Sequence, residues 1–277
     1  MAVATSTILD GRFTPDRVAL TIGGGDLVAF TSRAPDKETE NEDTLAAIPY
    51  GPAAAVLVVA DGAGGLPGGK RASDTAVSML EASLQRSMEE TMLLRTAILN
   101  GIEAANQAVR DLANGSATTL TVVTIEGRTA RTYQVGDSEA LIVGQRGRVR
   151  AQTMAHSPTG FAVEAGFLDQ RDALLHKDRH LVSNFIGTNE MRIDVGAPVQ
   201  LNPKDTVMLA SDGLTDNIHL DEIVDFIRKG PLDNALDAIT RRATRRMTVE
   251  SKTMPSKPDD LSVILFRKPA LVESQSS

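Results

Sequence analysis

One stretch constrains this chain more than any other: Val56-Leu57-Val58-Val59-Ala60-Asp61-Gly62-Ala63-Gly64-Gly65. A short, valine-rich apolar run bounded by turn residues predicts a buried strand. It ends on a carboxylate and a glycine-rich turn. A carboxylate at the end of a core strand is costly to bury unless it is paired or coordinates a metal. Gly62, Gly64 and Gly65 let the backbone come close to a ligand. Val207-Met208-Leu209-Ala210-Ser211-Asp212-Gly213 repeats the pattern. Two strand-terminal Asp-Gly pairs imply a shared acidic site, and a hard cation is its natural occupant.

Composition narrows the chemistry. Cysteine is absent, which removes disulfides, thiolate metal sites and cysteine nucleophiles and suits a reducing cytoplasm. A net charge of −7 argues against nucleic acid or an anionic membrane as partner. No apolar run is long enough to span a bilayer. Met1 to Leu9 lacks the basic flank and long apolar region of a signal peptide. Hydrophobic residues make up 42% of the 277 and aromatics only 3%, so a sizeable core must rest on Val, Leu, Ile, Ala and Met.

Along the chain, Val18–Ile22 and Leu27–Phe30, joined by Gly23-Gly24-Gly25-Asp26, predict a hairpin. Residues 31–43 read as a polar loop, and Leu45–Ile48 as a strand entering the central one. Ala72, Ala76, Val77, Leu80 and Leu84 recur at helical spacing. So do Leu94, Ile98, Ile102, Ala105, Val109 and Leu112, with a stop at Asn114-Gly115. Thr118–Ile125, Thr129–Val135, Ala140–Val143 and Val149–Thr153 read as an antiparallel meander. Residues 154–190 have weak periodicity and read as a partly ordered surface lobe. Helices near 219–229 and 232–248 follow the second Asp-Gly strand. A polar loop over 250–258, a last strand at Leu261–Phe266 and a tail at 268–277 complete the chain. Strands, two helices, strands, two helices, strand: this order favours α+β over a doubly wound parallel sheet. The expected architecture is a four-layer αββα sandwich, two antiparallel sheets face to face with helix pairs outside. No linker is evident, so residues 1–277 read as one domain with a core of about 17–267.

The acids at strand ends and in Gly-flanked turns are Glu42, Asp43, Asp61, Asp137, Asp212, Asp216, Asp259 and Asp260. Singly, each is more often a turn former or helix cap. As a set of oxygen donors they suit Mg²⁺ or Mn²⁺. Paired ions lower the pKa of a bound water and neutralise an anionic substrate such as a phosphate ester. Rival signals are weaker. Gly64 to Lys70 fits most of a phosphate-binding loop, but Arg71 stands where Ser or Thr should hold Mg²⁺, and an acid heads the loop. The four histidines lack zinc-protease spacing, and no serine-nucleophile elbow is present. Arg241-Arg242 and Arg245-Arg246 read as a solvated helix face.

These motifs, in this order, resemble the metal-dependent type 2C protein phosphatases, the PPM family. The resemblance runs from about Asn41 to Phe266. It rests on Asn41-Glu42-Asp43, Asp61-Gly62-Ala63-Gly64-Gly65, Gly136-Asp137-Ser138, Ser211-Asp212-Gly213-Leu214-Thr215-Asp216 and Asp259-Asp260-Leu261-Ser262-Val263. It implies a serine/threonine phosphatase acting on phosphoproteins, most simply a cytoplasmic signalling monomer, that uses two Mn²⁺ or Mg²⁺ ions to activate a water. Asp61 would bridge both ions. Asp212 and Asp259 would complete one site, and Glu42 with the Gly62 carbonyl the other. Asp137, Asp212 and Asp216 would form a third, weaker site. Asp43 and Asp260 would stand behind the ligands, and His156 is a candidate catalytic group. Glu38 occupies the position where many members carry a phosphate-clamping Arg, so Lys37 or Arg33 would have to take that task. The chain also has Glu139 where Gly-Asp-Ser-Arg is frequent, Ala155 in place of an Asp, and Asp260 where Asn is common. The departure at Glu38 leaves a second reading: a catalytically weak or inactive member that binds phosphoproteins as a sensor or scaffold.

Overall fold

The structure, a computed structural model, describes residues 5–63, 68–249 and 254–270. The chain forms β1 (Thr7–Leu9), β2 (Asp16–Ile22), β3 (Gly25–Ser32), β4 (Asp43–Tyr50) and β5 (Ala54–Asp61), then helices α1 (Gly69–Glu89) and α2 (Leu94–Arg110). Strands β6 (Leu120–Glu126), β7 (Thr129–Val135), β8 (Glu139–Val143) and β9 (Val149–Gln152) follow. After short helices α3 (Pro158–Glu164) and α4 (Gln170–Ala173) come β10 (Asp194–Val195), β11 (Val199–Gln200) and β12 (Thr206–Ala210). Helices α5 (Asp212–Thr215), α6 (Leu220–Ile227) and α7 (Leu232–Thr248) precede β13 (Leu261–Arg267).

Among the described residues, one sheet runs β1-β4-β5-β6-β7-β10, with β11 also pairing β7; the other runs β2-β3-β13-β12-β8-β9. Every strand pair is antiparallel. The expected four layers are present, and alternation along β5 shows how they are built. Val56, Val58 and Ala60 pack on α1 and α2, whereas Ala55, Leu57 and Val59 join β13 and β12 in the core between the sheets. A strand covered on both faces reads as a continuous apolar run. A third core lies between the second sheet and α5–α7, with Leu214, Ile239 and Leu265 among its residues.

The meander is corrected. Strands β6 and β7 pair, and so do β8 and β9, but β7 and β8 lie in different sheets. Gly136-Asp137-Ser138 is therefore a crossover from one sheet to the other, which carries Asp137 across the open end of the sandwich. Gly136 adopts φ +103° there. The basic stripe is corrected in part: Arg241, Arg242 and Arg245 are exposed, but Arg246 is buried. Its guanidinium grips Glu222 at 2.7 and 2.9 Å and the Asn217 carbonyl at 2.7 Å. The 154–190 segment carries α3 and α4 and is tied in by Ile186, which is fully buried and bridges to Thr118. Of the C-terminal tail, 271–277 lie outside the described residues, as do Met1–Ala4.

Candidate metal centre

The period of two that builds the core also aims the acids. Asp61 shares its parity with Leu57 and Val59, so its side chain points between the sheets at the rim where the apolar core ends. Asp43 faces it in register from β4 and shares parity with Leu45 and Ala47. Ser211 and Ser262 close the same rim from the second sheet: Ser211 N–H donates to the Ser262 carbonyl at 3.1 Å. The Asp61 backbone is pinned to β6, its N–H donating to Thr119 Oγ1 at 3.1 Å and its carbonyl accepting from Thr119 N–H at 2.8 Å. Its carboxylate takes no hydrogen bond from any described residue.

Close backbone approach explains the glycine after each Asp. A Cβ on Gly62 would collide with the Gly69 carbonyl at the start of α1, and one on Gly213 with the Asp260 carbonyl. Each Asp-Gly pair thereby presses its acid against a neighbouring element. Gly64 and Gly65 of the motif lie outside the described residues. Lys70, the phosphate-loop lysine of the rival reading, is buried. It donates to the Asp43 carbonyl at 2.8 Å and to Thr44 Oγ1 at 3.0 Å, so it fastens α1 to β4 instead of facing a ligand.

The electrostatics record the convergence of the acids. Asp61 lies deep but keeps a partly open face. Burial, then the charges of Asp43, Asp212, Asp259 and Asp137, lifts its carboxyl well above the ordinary range. Asp137 is lifted by burial, then by Asp212 and Asp216. Asp259 is pushed up to about 7 by burial and then Asp212, and Asp216 to about 6 by the same two causes. Asp43 rises to about 8 through burial, then the charge of Asp260. The Ser262 and Ser211 hydroxyls offset part of that, although neither reaches hydrogen-bond geometry with the Asp43 carboxylate. Carboxyls that raise one another are held close at the cost of mutual repulsion, which a bound cation would relieve.

Two lysines already relieve part of it. Lys37 Nζ bonds Glu42 at 2.9 Å and Asp260 at 2.6 Å. Burial opposes its charge, but these hydrogen bonds outweigh burial and raise its pKa. Asp260 also accepts from the N–H groups of Ala34 and Glu42, both at 2.7 Å, so it folds the 33–42 loop around Glu42. An Asp where Asn is common is thus matched by an ammonium. Lys257 Nζ forms a tight ion pair with Asp212 and lies 2.9 Å from Asp216 and 3.1 Å from Asp259. Among the described residues, no three acids are already spaced as a closed cage around an ion.

The remaining candidates divide. Lys37 is already ion-paired with Glu42 and Asp260. Arg33 makes one weak bond, to the Glu38 carbonyl at 3.5 Å, and Glu38 is exposed. His156, the candidate catalytic group, has both ring nitrogens engaged within the protein. It is fully buried, and its Nδ1 accepts from Gly136 N–H at 3.1 Å and from Asn184 Nδ2 at 2.8 Å. Nε2 then carries the proton, 3.0 Å from Asp194. Burial lowers its pKa, the Asp194 contact opposing. The ring therefore stays neutral and fixes the residue before Asp137. A cleft of about 270 Å³ opens beside the acids, walled by Asp137, Glu139, Met154, Arg179, Asp212 and Asp216. Glu139 is pushed up to about 7 there by burial.

Reasoning from sequence missed Lys257 and Asn217. Asn217 is fully buried and its side chain ties the two acid-bearing loops together: Nδ2 donates to the Gly213 and Lys257 carbonyls, at 2.9 and 2.8 Å, and Oδ1 accepts from Lys257 N–H at 2.8 Å. The only signal for it was its place one residue past the Asp212–Asp216 motif.

Comparison with known proteins identifies the family and the fold. A protein phosphatase 2C family model matches residues 32–251. Protein phosphatase PhpP of Streptococcus pneumoniae is 28% identical over 227 residues, 79% of this chain and 91% of its own. The PPM Ser-Thr phosphatase MsPP of Mycobacterium smegmatis, solved with cacodylate, superposes with a TM-score of 0.71 at 25% identity, covering 87% of this chain and 97% of that one. The catalytic domain of the serine threonine protein phosphatase PstP, solved with two manganese ions, gives a TM-score of 0.68 at 21% identity, covering 87% and 96%.

Proposed function

The chain belongs to the protein phosphatase 2C family, and from that premise we propose that it is a metal-dependent protein serine/threonine phosphatase of one domain, hydrolysing phosphoserine and phosphothreonine in phosphoproteins. The observation that carries the reading is the Asp61 carboxylate. It has no donor among the described residues and faces the charges of Asp43, Asp212, Asp259 and Asp137. The donor set is all oxygen, which fits Mn²⁺ or Mg²⁺.

Asp61 would be shared by two ions, with Asp212 and Asp259 on one side and Glu42 and the Gly62 carbonyl on the other. Asp137 and Asp216 would serve a third position. Bound there, divalent cations supply a water of lowered pKa and neutralise the phosphate ester. The chain's own residues do the rest. Asp260 and Lys37 shape the loop that presents Glu42. His156 holds Gly136 and, through it, Asp137. Asn217 keeps Asp212 and Asp259 together. Arg33, at the mouth of the same loop, is the side chain we assign to the substrate phosphate. Among the described residues no helix is long and apolar enough to cross a membrane. A cytoplasmic role in signalling is part of the same proposal.

The test is hydrolysis of p-nitrophenyl phosphate and a phosphothreonine peptide with Mn²⁺, against EDTA and Asp61→Asn. Turnover that needs the metal and is abolished in Asp61→Asn is expected. Wild-type-like rates in that variant, or a folded wild type inactive at every Mn²⁺ concentration, reject the proposal.

A further inference from the structure

Lys257 sits where the proposed site should hold a cation, and nothing in the family motifs requires it. Its ammonium donates to Asp212 and lies within ion-pair distance of Asp216 and Asp259, so three carboxylates share one cation. Its place is not that of a wandering surface lysine. Asn217 grips its backbone on both sides, through the N–H and the carbonyl. Pro258 follows, which holds a preceding residue to extended backbone. Just upstream, the Ser256 carbonyl accepts from Arg179 Nη2 at 2.9 Å, and the Ser256 hydroxyl donates to the Arg246 carbonyl at 2.8 Å. The loop is thus anchored to α7 and to the 154–190 segment, with the lysine aimed inward from it. The three carboxylates gain little from elsewhere: Asp216 Oδ2 is buried with no aligned hydrogen bond, and Asp259 accepts one from its neighbour's N–H.

We propose that Lys257 is a tethered counter-cation: its ammonium fills the corner between Asp212, Asp216 and Asp259, so a divalent ion enters that corner only by displacing it. The inference rests on the metal reading above and deepens it. The acidic end of the sandwich is balanced in part before any metal arrives. Uptake at this corner becomes an exchange of one cation for another, weaker than the carboxylates alone would give.

The experiment titrates full-length wild type, Lys257→Met and Lys257→Gln with Mn²⁺ and counts free ion by electron paramagnetic resonance. Thermal melting in EDTA runs alongside. Met keeps the stem and Gln keeps a donor; neither keeps the charge. The expected result is one further Mn²⁺ per chain in both variants, or a dissociation constant for the corner lower by about tenfold, the loss of one charged hydrogen bond's worth of competition. In EDTA both variants should melt below wild type. A variant that folds only when Mn²⁺ is added gives the same support. Mn²⁺ binding with the same count and the same constants in all three proteins overturns the role of Lys257 and leaves the metal reading standing. No Mn²⁺ binding by any of them overturns the metal reading and this inference together.

Discussion

Replacing Asn217 with Ala removes a buried side chain that links the Asp212–Asp216 turn to the backbone of the Lys257–Asp259 loop. Three hydrogen bonds vanish, and the Lys257 N–H and the Gly213 and Lys257 carbonyls lose a partner in a buried to part-buried site. A net bond is worth about 1 kcal/mol, and a stranded buried group costs about 1–3 kcal/mol. Counting the stranded N–H at about 1–3 kcal/mol and the two carbonyls, which have a second lone pair, at about 1 kcal/mol each, the loss is about 3–5 kcal/mol. For a domain of this size that is a fall in Tm of about 6–20 °C. The assay is guanidinium unfolding in EDTA, followed by circular dichroism. Asn217→Asp is the partner variant: it keeps the shape but sets an anion against two carbonyls, so it should lose at least as much. A purely structural role would end there. The geometry demands more, because the same residue sets the separation of Asp212 and Asp259. Mn²⁺ half-saturation should rise by about 10- to 100-fold, the usual cost of losing a group that orients metal ligands. A stability loss under about 1 kcal/mol refutes the bond count. Destabilisation with unchanged Mn²⁺ half-saturation refutes the link to the site.

Two other outcomes follow from the same geometry. In EDTA, stability should fall as pH rises from about 4 to about 8. Asp43, Asp259, Glu139 and Asp216 hold protons up to about 8, 7, 7 and 6 when folded, against 3.8 to 4.5 unfolded, so the folded state binds more protons throughout that window. His156, lowered by burial, pulls the other way but is one group against four. Mn²⁺ should flatten or reverse the trend, because it takes the place of the protons; a Tm in EDTA that climbs from pH 5 to 8 contradicts the burial of these acids. Glu38→Arg should lower KM for p-nitrophenyl phosphate by roughly fivefold, about 1 kcal/mol, through replacement of a repelling charge by a clamping one. An unchanged KM would remove Glu38 from the substrate's path.

What could be read in the sequence, and what could not, divides along one physical line. Asp61 and Asp212 were legible because a strand buried on both faces must be apolar until it leaves the core. An acid at that boundary marks the rim, and the glycine after it marks contact with another backbone. The helices were legible for the same reason, since α1, α2, α6 and α7 each bury one stripe. The crossover at Gly136-Asp137-Ser138 was not, because three turn residues between two strands look the same whether the second strand pairs with the first or joins the facing sheet. The 154–190 segment gave no period because side chains bonding to backbone organise it: His156 to Gly136, Asn184 to the Arg192 carbonyl at 2.8 Å, Asn106 to Gly187 N–H at 2.6 Å. Lys257 and Asn217 share that fate. Each works through a partner about 30 to 45 positions away in the chain, and a polar residue in a polar loop carries no mark of such a partner. The acids of this site are therefore written locally, at strand ends and in the turns beside them. Their spacing and their charge balance are written in pairs, such as Lys37 with Asp260 and Lys257 with Asp212, that only the fold brings together. A substitution in one member of such a pair should be tolerated only with a matching change in the other, which makes the double variant Lys37→Met with Asp260→Asn, milder than Lys37→Met alone in EDTA, the sharpest check on this view.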